Sequence, residues 1–254
     1  AESGVMDLTG TVDGPPIRAG ISMADVTAGQ AGVEGILLAL IDRAKTGKGQ
    51  MVDISMLDCQ VAILENAFAR FFATGDVPKP LGTRHPVTAP FQVFQTKDGY
   101  ITIALADGRK EKWPLLCSLI DRVDLIDDPR FKDGWTRSQN WDILEPLLSQ
   151  EIVKKSSVEW LNDMQDMGIP CGPVNTIDKV VEDPQIKHRG MVTTVPHPRL
   201  GSMKLIDTPL KFSRSDTGAR KSSPDLGQDT YQILNNWLGL TDPEIDHLRE
   251  EQVI

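Results

Sequence analysis

The sequence predicts a mixed α/β fold on three observations. From Asp25 to about Arg43 the apolar residues Val33, Ile36, Leu37, Leu40 and Ile41 recur at helical spacing. After it "MVDISM", residues 51–56, alternates apolar and polar in the manner of a half-buried strand. Further along, "FQVFQTKDGYITIAL" sets two β-like runs around Lys97-Asp98-Gly99, where Asp-Gly is a strong hairpin signal. Helical and strand periods therefore share one chain, which is the α/β pattern.

The first helix reads as long and buried. Gly29, Gly32 and Gly35 fall inside it at helical spacing, and each should cost roughly 1 kcal/mol against alanine, so something must approach that face closely. "KTGKGQ" ends it with Gly47 and Gly49, and Ser55 with Asp58 resembles the capping signal of a second helix running to about Phe72. "TGDVPKPLGTRHPVTAP" is dense in proline and glycine and reads as a linker. Beyond the hairpin, helices are expected through "EKWPLLCSLI", "NWDILEPLLSQEIVKK" and "SSVEWLNDMQDMG", the last capped by Ser156 or Ser157, until "GIPCGPVNTI" stops helical structure. The final part carries "MVTTVPHPRLGSMKLIDTPLKF" as extended segments, a loop "DTGARKSSPDLG", and helices around Ile233 and Leu248. The expected division is 1–75, a linker at 76–90, a small α/β unit at 91–178, and a closing part at 179–254.

Composition narrows the function classes. With 40% hydrophobic and 25% charged residues, the 254-residue chain has enough apolar material for a core. A formal charge of −9 with scattered Lys and Arg argues against a nucleic-acid surface, which needs a basic stripe. Cys59, Cys117 and Cys171 are far apart and lack metal-ligand spacing, so free thiols, no metal site and a reducing cytoplasm are expected. No apolar run reaches the roughly 20 residues that span a bilayer, and no signal peptide opens the chain, so no membrane partner is expected. The opening Ala-Glu-Ser, without methionine, suggests a fragment or a processed chain. No Walker loop, GxGxxG, HExxH or GxSxG is present, and His85, His188, His197 and His247 do not cluster. "TGKGQ" lacks phosphate-loop spacing and reads as a solvated basic turn.

Asp25 stands out within "GISMADVTAGQAGVEGILLAL". It has an ordinary reading as a helix N-cap. It has a chemical one too, because a helix N-terminus keeps an aspartate ionised and nucleophilic.

Four ordered blocks, "DGPPIRAGISMADVTAGQAGVEGILLALIDRAKTGKGQMVDISMLD", "GTRHPVTAPFQVFQTKDGYITIAL", "GIPCGPVN" and "LGQDTYQILNNWLGL", resemble the family III CoA-transferases, the CaiB/BaiF family of formyl-CoA and carnitine CoA-transferase type. The resemblance implies a Rossmann-like large domain built from both chain ends, here lacking its N-terminal segment, with a smaller α/β domain inserted, in an interlocked homodimer. A partner carrying the missing segment is a further implication. So are acyl-CoA and small carboxylate substrates such as oxalate, with coenzyme A as substrate and carrier and no permanently bound cofactor. The contacts to CoA are implied to lie mostly in the missing segment. "MADVTAG" matches the family's catalytic segment, so Asp25 is implied as the nucleophile, passing through mixed anhydrides and an aspartyl-CoA thioester. "GTRHPVTAP" aligns with a glycine-rich lid but keeps Gly82 alone, and adds Arg84 and His85, which could meet an acceptor carboxylate. Two alternatives stay open: an α-methylacyl-CoA racemase, whose aspartate works with a histidine from the missing segment, and a non-catalytic subunit.

Overall fold

The computed structural model describes residues 1–106 and 111–254, and over these the fold is mixed α/β. The chain forms two compact units, Ala1–Val174 and Asn175–Ile254.

The first unit opens with a short helix α1 (Val5–Leu8) and the long helix α2 (Met23–Thr46). Gly47 stops α2 in a left-handed conformation at φ 72°, donating its N–H to the Arg43 carbonyl, while Arg43 and Lys45 in the last turn complement the helix dipole. Ser55 caps the next helix, α3 (Met56–Ala62), by accepting the Asp58 N–H at 3.2 Å. The expected single helix to Phe72 is broken at Ile63 and Leu64, and resumes as α4 (Glu65–Thr74).

Three expectations are corrected here. "MVDISM" is not a strand: residues 51–55 pair with no strand among the described residues, and alternation without a partner leaves only extended chain. Nor is α2 buried. None of its residues is, and Leu37, Leu38 and Leu40 are 54%, 66% and 41% exposed, because α3 and the 51–55 segment, which lie against it, leave its apolar side chains uncovered. Finally, α2 is long and apolar enough, by length and composition, to cross a membrane. Counting uninterrupted runs missed this because glycines and Glu34 break the run, whereas its mean hydropathy of 1.3 tolerates them.

The core begins where the linker ends. Strands β1 (Phe91–Gln95) and β2 (Tyr100–Ala104) pair antiparallel around the Asp98-Gly99 turn, and β3 (Cys171–Pro173) joins β2. "GIPCGPVNTI", expected only to end a helix, thus supplies the third strand. Phe94, Ile101 and Ile103 share a core with α5 (Lys112–Leu119), two 3-10 turns carrying Leu125 and Phe131, α7 (Trp141–Ile152) and α8 (Ser157–Asp166), and α6 (Gly134–Gln139) precedes α7. Leu144, Leu148 and Ile152 fall on one face of α7 at i, i+4 and i+8, and all are fully buried. Ser156 caps α8 in a reciprocal capping box with Glu159. Burial pushes the Cys117 thiol up to about 12, which makes it an inert core residue.

The second unit holds α9 (Ile177–Glu182), α10 (Pro184–His188), the hairpin β4 (Val192–His197) and β5 (Gly201–Ile206), and closing helices α11 (Thr230–Asn236) and α12 (Asp242–Glu250).

Candidate functional site

Asp25 occupies the first turn of α2, after Ser22 at the N-cap position, so it is not the cap. Among the described residues its carboxylate accepts no hydrogen bond, and it is exposed where the first-turn amides present the positive end of the helix dipole. It lines a cavity of about 250 Å³ together with Arg18, Met6, Ser22 and Gln60. Gln60 of α3 is buried and donates from Nε2 to the Thr27 hydroxyl at 3.0 Å, and Thr27 in turn donates to the Met23 carbonyl at 2.8 Å. These two bonds fix the turn that carries Asp25. The glycine stripe is used unevenly. A Cβ on Gly35 would come within 2.7 Å of Val52 Cγ1, so the 51–55 segment needs glycine there, whereas Gly29 and Gly32 face open space.

The linker is an ordered loop. Gly82 sits at φ 65°, in the left-handed region, and donates its N–H to the Gly10 carbonyl at 2.9 Å. His85 donates its backbone N–H to the Phe91 carbonyl at 2.9 Å and stacks its ring on Phe91 at 5.0 Å. Its Nδ1 accepts the Val87 N–H at 3.3 Å, which leaves the ring proton on Nε2. Arg137 of α6, a buried guanidinium stacked over Trp113, holds the Ala89 carbonyl and so ties the loop to the core.

Two cavities flank this loop. One, about 150 Å³, is lined by Arg84, His85, Gln92, Ser138, Gln139 and Trp141, among others, and no Asp or Glu lies in its wall. The other, about 270 Å³, gathers Arg70, Lys79 and Arg84 with Gly82 and Glu65. Arg84 belongs to both and has no carboxylate partner among the described residues. The structure therefore brings Arg84 to His85 in one cavity and to Gly82 in the other, while Asp25 lines a third. Among the described residues no cluster of His, Cys, Asp and Glu has metal-binding geometry.

Gln92 and Gln60 escaped the sequence reading. Gln92 did leave a signal: it shares the core-facing side of β1 with Phe94, where alternation calls for an apolar residue.

The model of CoA-transferase family III matches residues 1–230. The chain belongs to CoA-transferase family III. It is 32% identical over its whole length to succinyl-CoA:glutarate CoA-transferase of Homo sapiens, covering 58% of that protein. Over 90% of its length it is 35% identical to acetyl-CoA:oxalate CoA-transferase of Acetobacter aceti, covering 57% of it. A crystal structure of a CAIB/BAIF family protein from Brucella suis superposes with a TM-score of 0.78 at 34% identity, over 92% of this chain and 60% of that one. This family III chain thus spans less than two thirds of the length of the curated relatives it matches.

Proposed function

We propose that the protein transfers coenzyme A from an acyl-CoA donor to a carboxylate acceptor, with Asp25 as the nucleophile. The observation that carries this is the placement of Asp25 in the first turn of α2, exposed, unbonded and lining a cavity, within the segment that resembles the family's catalytic one. The names of the relatives, which pair succinyl-CoA or acetyl-CoA with glutarate or oxalate, support the substrate class.

The carboxylate of Asp25 attacks the thioester carbonyl of the donor, forming a mixed anhydride and expelling CoA thiolate. The thiolate returns to the aspartyl carbonyl, which releases the donor acid and leaves an aspartyl-CoA thioester. The acceptor carboxylate attacks that thioester, forming a second anhydride and freeing the thiolate again. Attack of the thiolate on the acceptor's carbonyl then yields the new acyl-CoA and restores Asp25. A small-residue surrounding suits this route, because a bulky thioester must reach the carboxylate. Gly82, Arg84 and His85 are the residues on which an acceptor would be held, Arg84 and His85 by charge and hydrogen bond.

In the intact protein, Asp25→Ala is expected to lower transfer by at least about 10³-fold. Its fold should persist, since a first-turn charge contributes only about 0.3–1 kcal/mol. Hydroxylamine added with acyl-CoA should convert Asp25 to the hydroxamate, read by peptide mass. An active Asp25→Ala protein overturns the assignment. So does rapid α-deuteration of a 2-methylacyl-CoA without acceptor-dependent exchange, which would make Asp25 a proton carrier.

A further inference from the structure

Gln92 is 8% exposed, and its amide makes no hydrogen bond to any described residue. None of the fully buried side-chain nitrogen or oxygen atoms among the described residues lacks a partner, so the Gln92 amide retains access to solvent. For a residue on the core-facing side of β1, that access is through the 150 Å³ cavity it lines with Arg84 and His85. A nearly buried amide that the protein leaves unpaired is unfavourable unless something entering the cavity bonds to it. The cavity's other polar groups define what that is. Arg84 brings a guanidinium with no carboxylate partner, and His85, its Nδ1 occupied by Val87, offers an Nε2 proton. Ser138 contributes a hydroxyl with no bond to a described residue. The wall therefore presents donors from several directions and one fixed positive charge, with no anion to oppose them. A water takes up about 30 Å³, so the space admits a carboxylate with a short carbon stem.

We propose that Gln92, with Arg84 and His85, forms a carboxylate-binding subsite that takes a small acid such as glutarate. The inference rests on the transfer reading above for the identity of the acid, and on the cavity alone for the carboxylate. The amide N–H of Gln92 donates to one oxygen, the guanidinium of Arg84 neutralises the charge, and His85 Nε2 donates to the same group. Loop anchoring by Arg137 at Ala89 keeps the three in register.

Glutarate binding to the intact protein, measured by calorimetry without any acyl-CoA, tests the site independently of the chemistry. Gln92→Leu, which removes the amide at similar volume, is expected to weaken glutarate roughly tenfold or more, as loss of a bond to a charged group does. It should raise KM for glutarate while leaving kcat nearly unchanged. Gln92→Glu, which opposes one carboxylate with another, should abolish glutarate binding. In the wild type, glutarate should shift the His85 ring ¹⁵N resonances, a readout that needs no variant to fold. The inference fails if His85 does not respond, if glutarate binds folded Gln92→Leu as tightly as wild type, or if inorganic phosphate displaces glutarate at equal concentration. Glutarate binding that depends on Gln92 in a protein without transfer activity would uphold the site and sink only the transfer reading. Transfer to glutarate with no dependence on Gln92 would do the reverse.

Discussion

Residues 91–169 and residues 5–74 are both rich in regular structure with well-formed caps, yet they treat their apolar side chains in opposite ways. In the first region α5, α7 and α8 close over the three-stranded sheet, and Leu116, Phe131, Leu144 and Leu148 are fully buried. In the second, no hydrophobic residue is buried, and α2 leaves Val33, Ile36, Leu37 and Ile41 more than half exposed. The difference lies in partners. Each helix of the core region has a sheet face or another helix to cover, whereas α3 and one extended segment pack on α2 without burying any of its residues. Secondary structure therefore forms from local signals in both regions, but only the first completes its burial within these residues. The candidate site residues divide along the same line: Asp25 stands on the uncovered helix, and the Arg84, His85 and Gln92 cavity is built against the covered core.

The comparison breaks most sharply on core truncation. Leu144→Ala or Leu148→Ala in the 254-residue chain should cost about 2–5 kcal/mol in urea unfolding, since each removes a fully buried side chain from a packed layer. A loss below 1 kcal/mol would mean that α7 is no better covered than α2.

Capping should matter less, and locally. Ser156→Ala removes the acceptor for the Glu159 N–H and its half of the capping box, at about 1 kcal/mol, read by the same unfolding curves. Acid should reveal the hairpin's attachment to the same helix. The Ser157 backbone N–H, followed by the hydroxyls of Ser157 and Thr96, holds the Asp98 carboxyl below the usual aspartate range. Because the folded value is the lower one, the stabilisation is present above the unfolded pKa and lost as pH falls below about 4. Asp98→Asn should therefore flatten the acid limb of the stability profile, and an unchanged limb would remove the carboxylate from the account.

The smallest effect is expected on α2. Leu37→Asp should leave unfolding of the 254-residue chain within about 0.5 kcal/mol of the parent, as surface substitutions do. A cost comparable to Leu144→Ala would place α2 in a core and erase the contrast.

Much of the fold could be read from short stretches, because the forces involved act over a few residues. The 3.6-residue period of α2 and α7, the glycine stop at Gly47, the caps at Ser55 and Ser156 and the Asp98-Gly99 turn all follow from neighbouring atoms. So does the place of Asp25 in a first turn, although its ordinary role as a cap did not survive, because the helix begins two residues earlier. Tertiary structure alone decided what depends on a partner. Residues 51–55 have a strand's alternation but no neighbouring strand to bond, so the pattern yields extended chain packed against Gly35. The apolar stripe of α2 specifies a face without specifying what covers it. The cavity at Gln92 needs β1, the loop through His85 and the end of α6 to meet, and Arg137 bonding to Ala89 is one of the contacts that joins them. A local pattern sets the conformation of a segment, while burial and the convergence of distant polar groups depend on which segments come together in three dimensions.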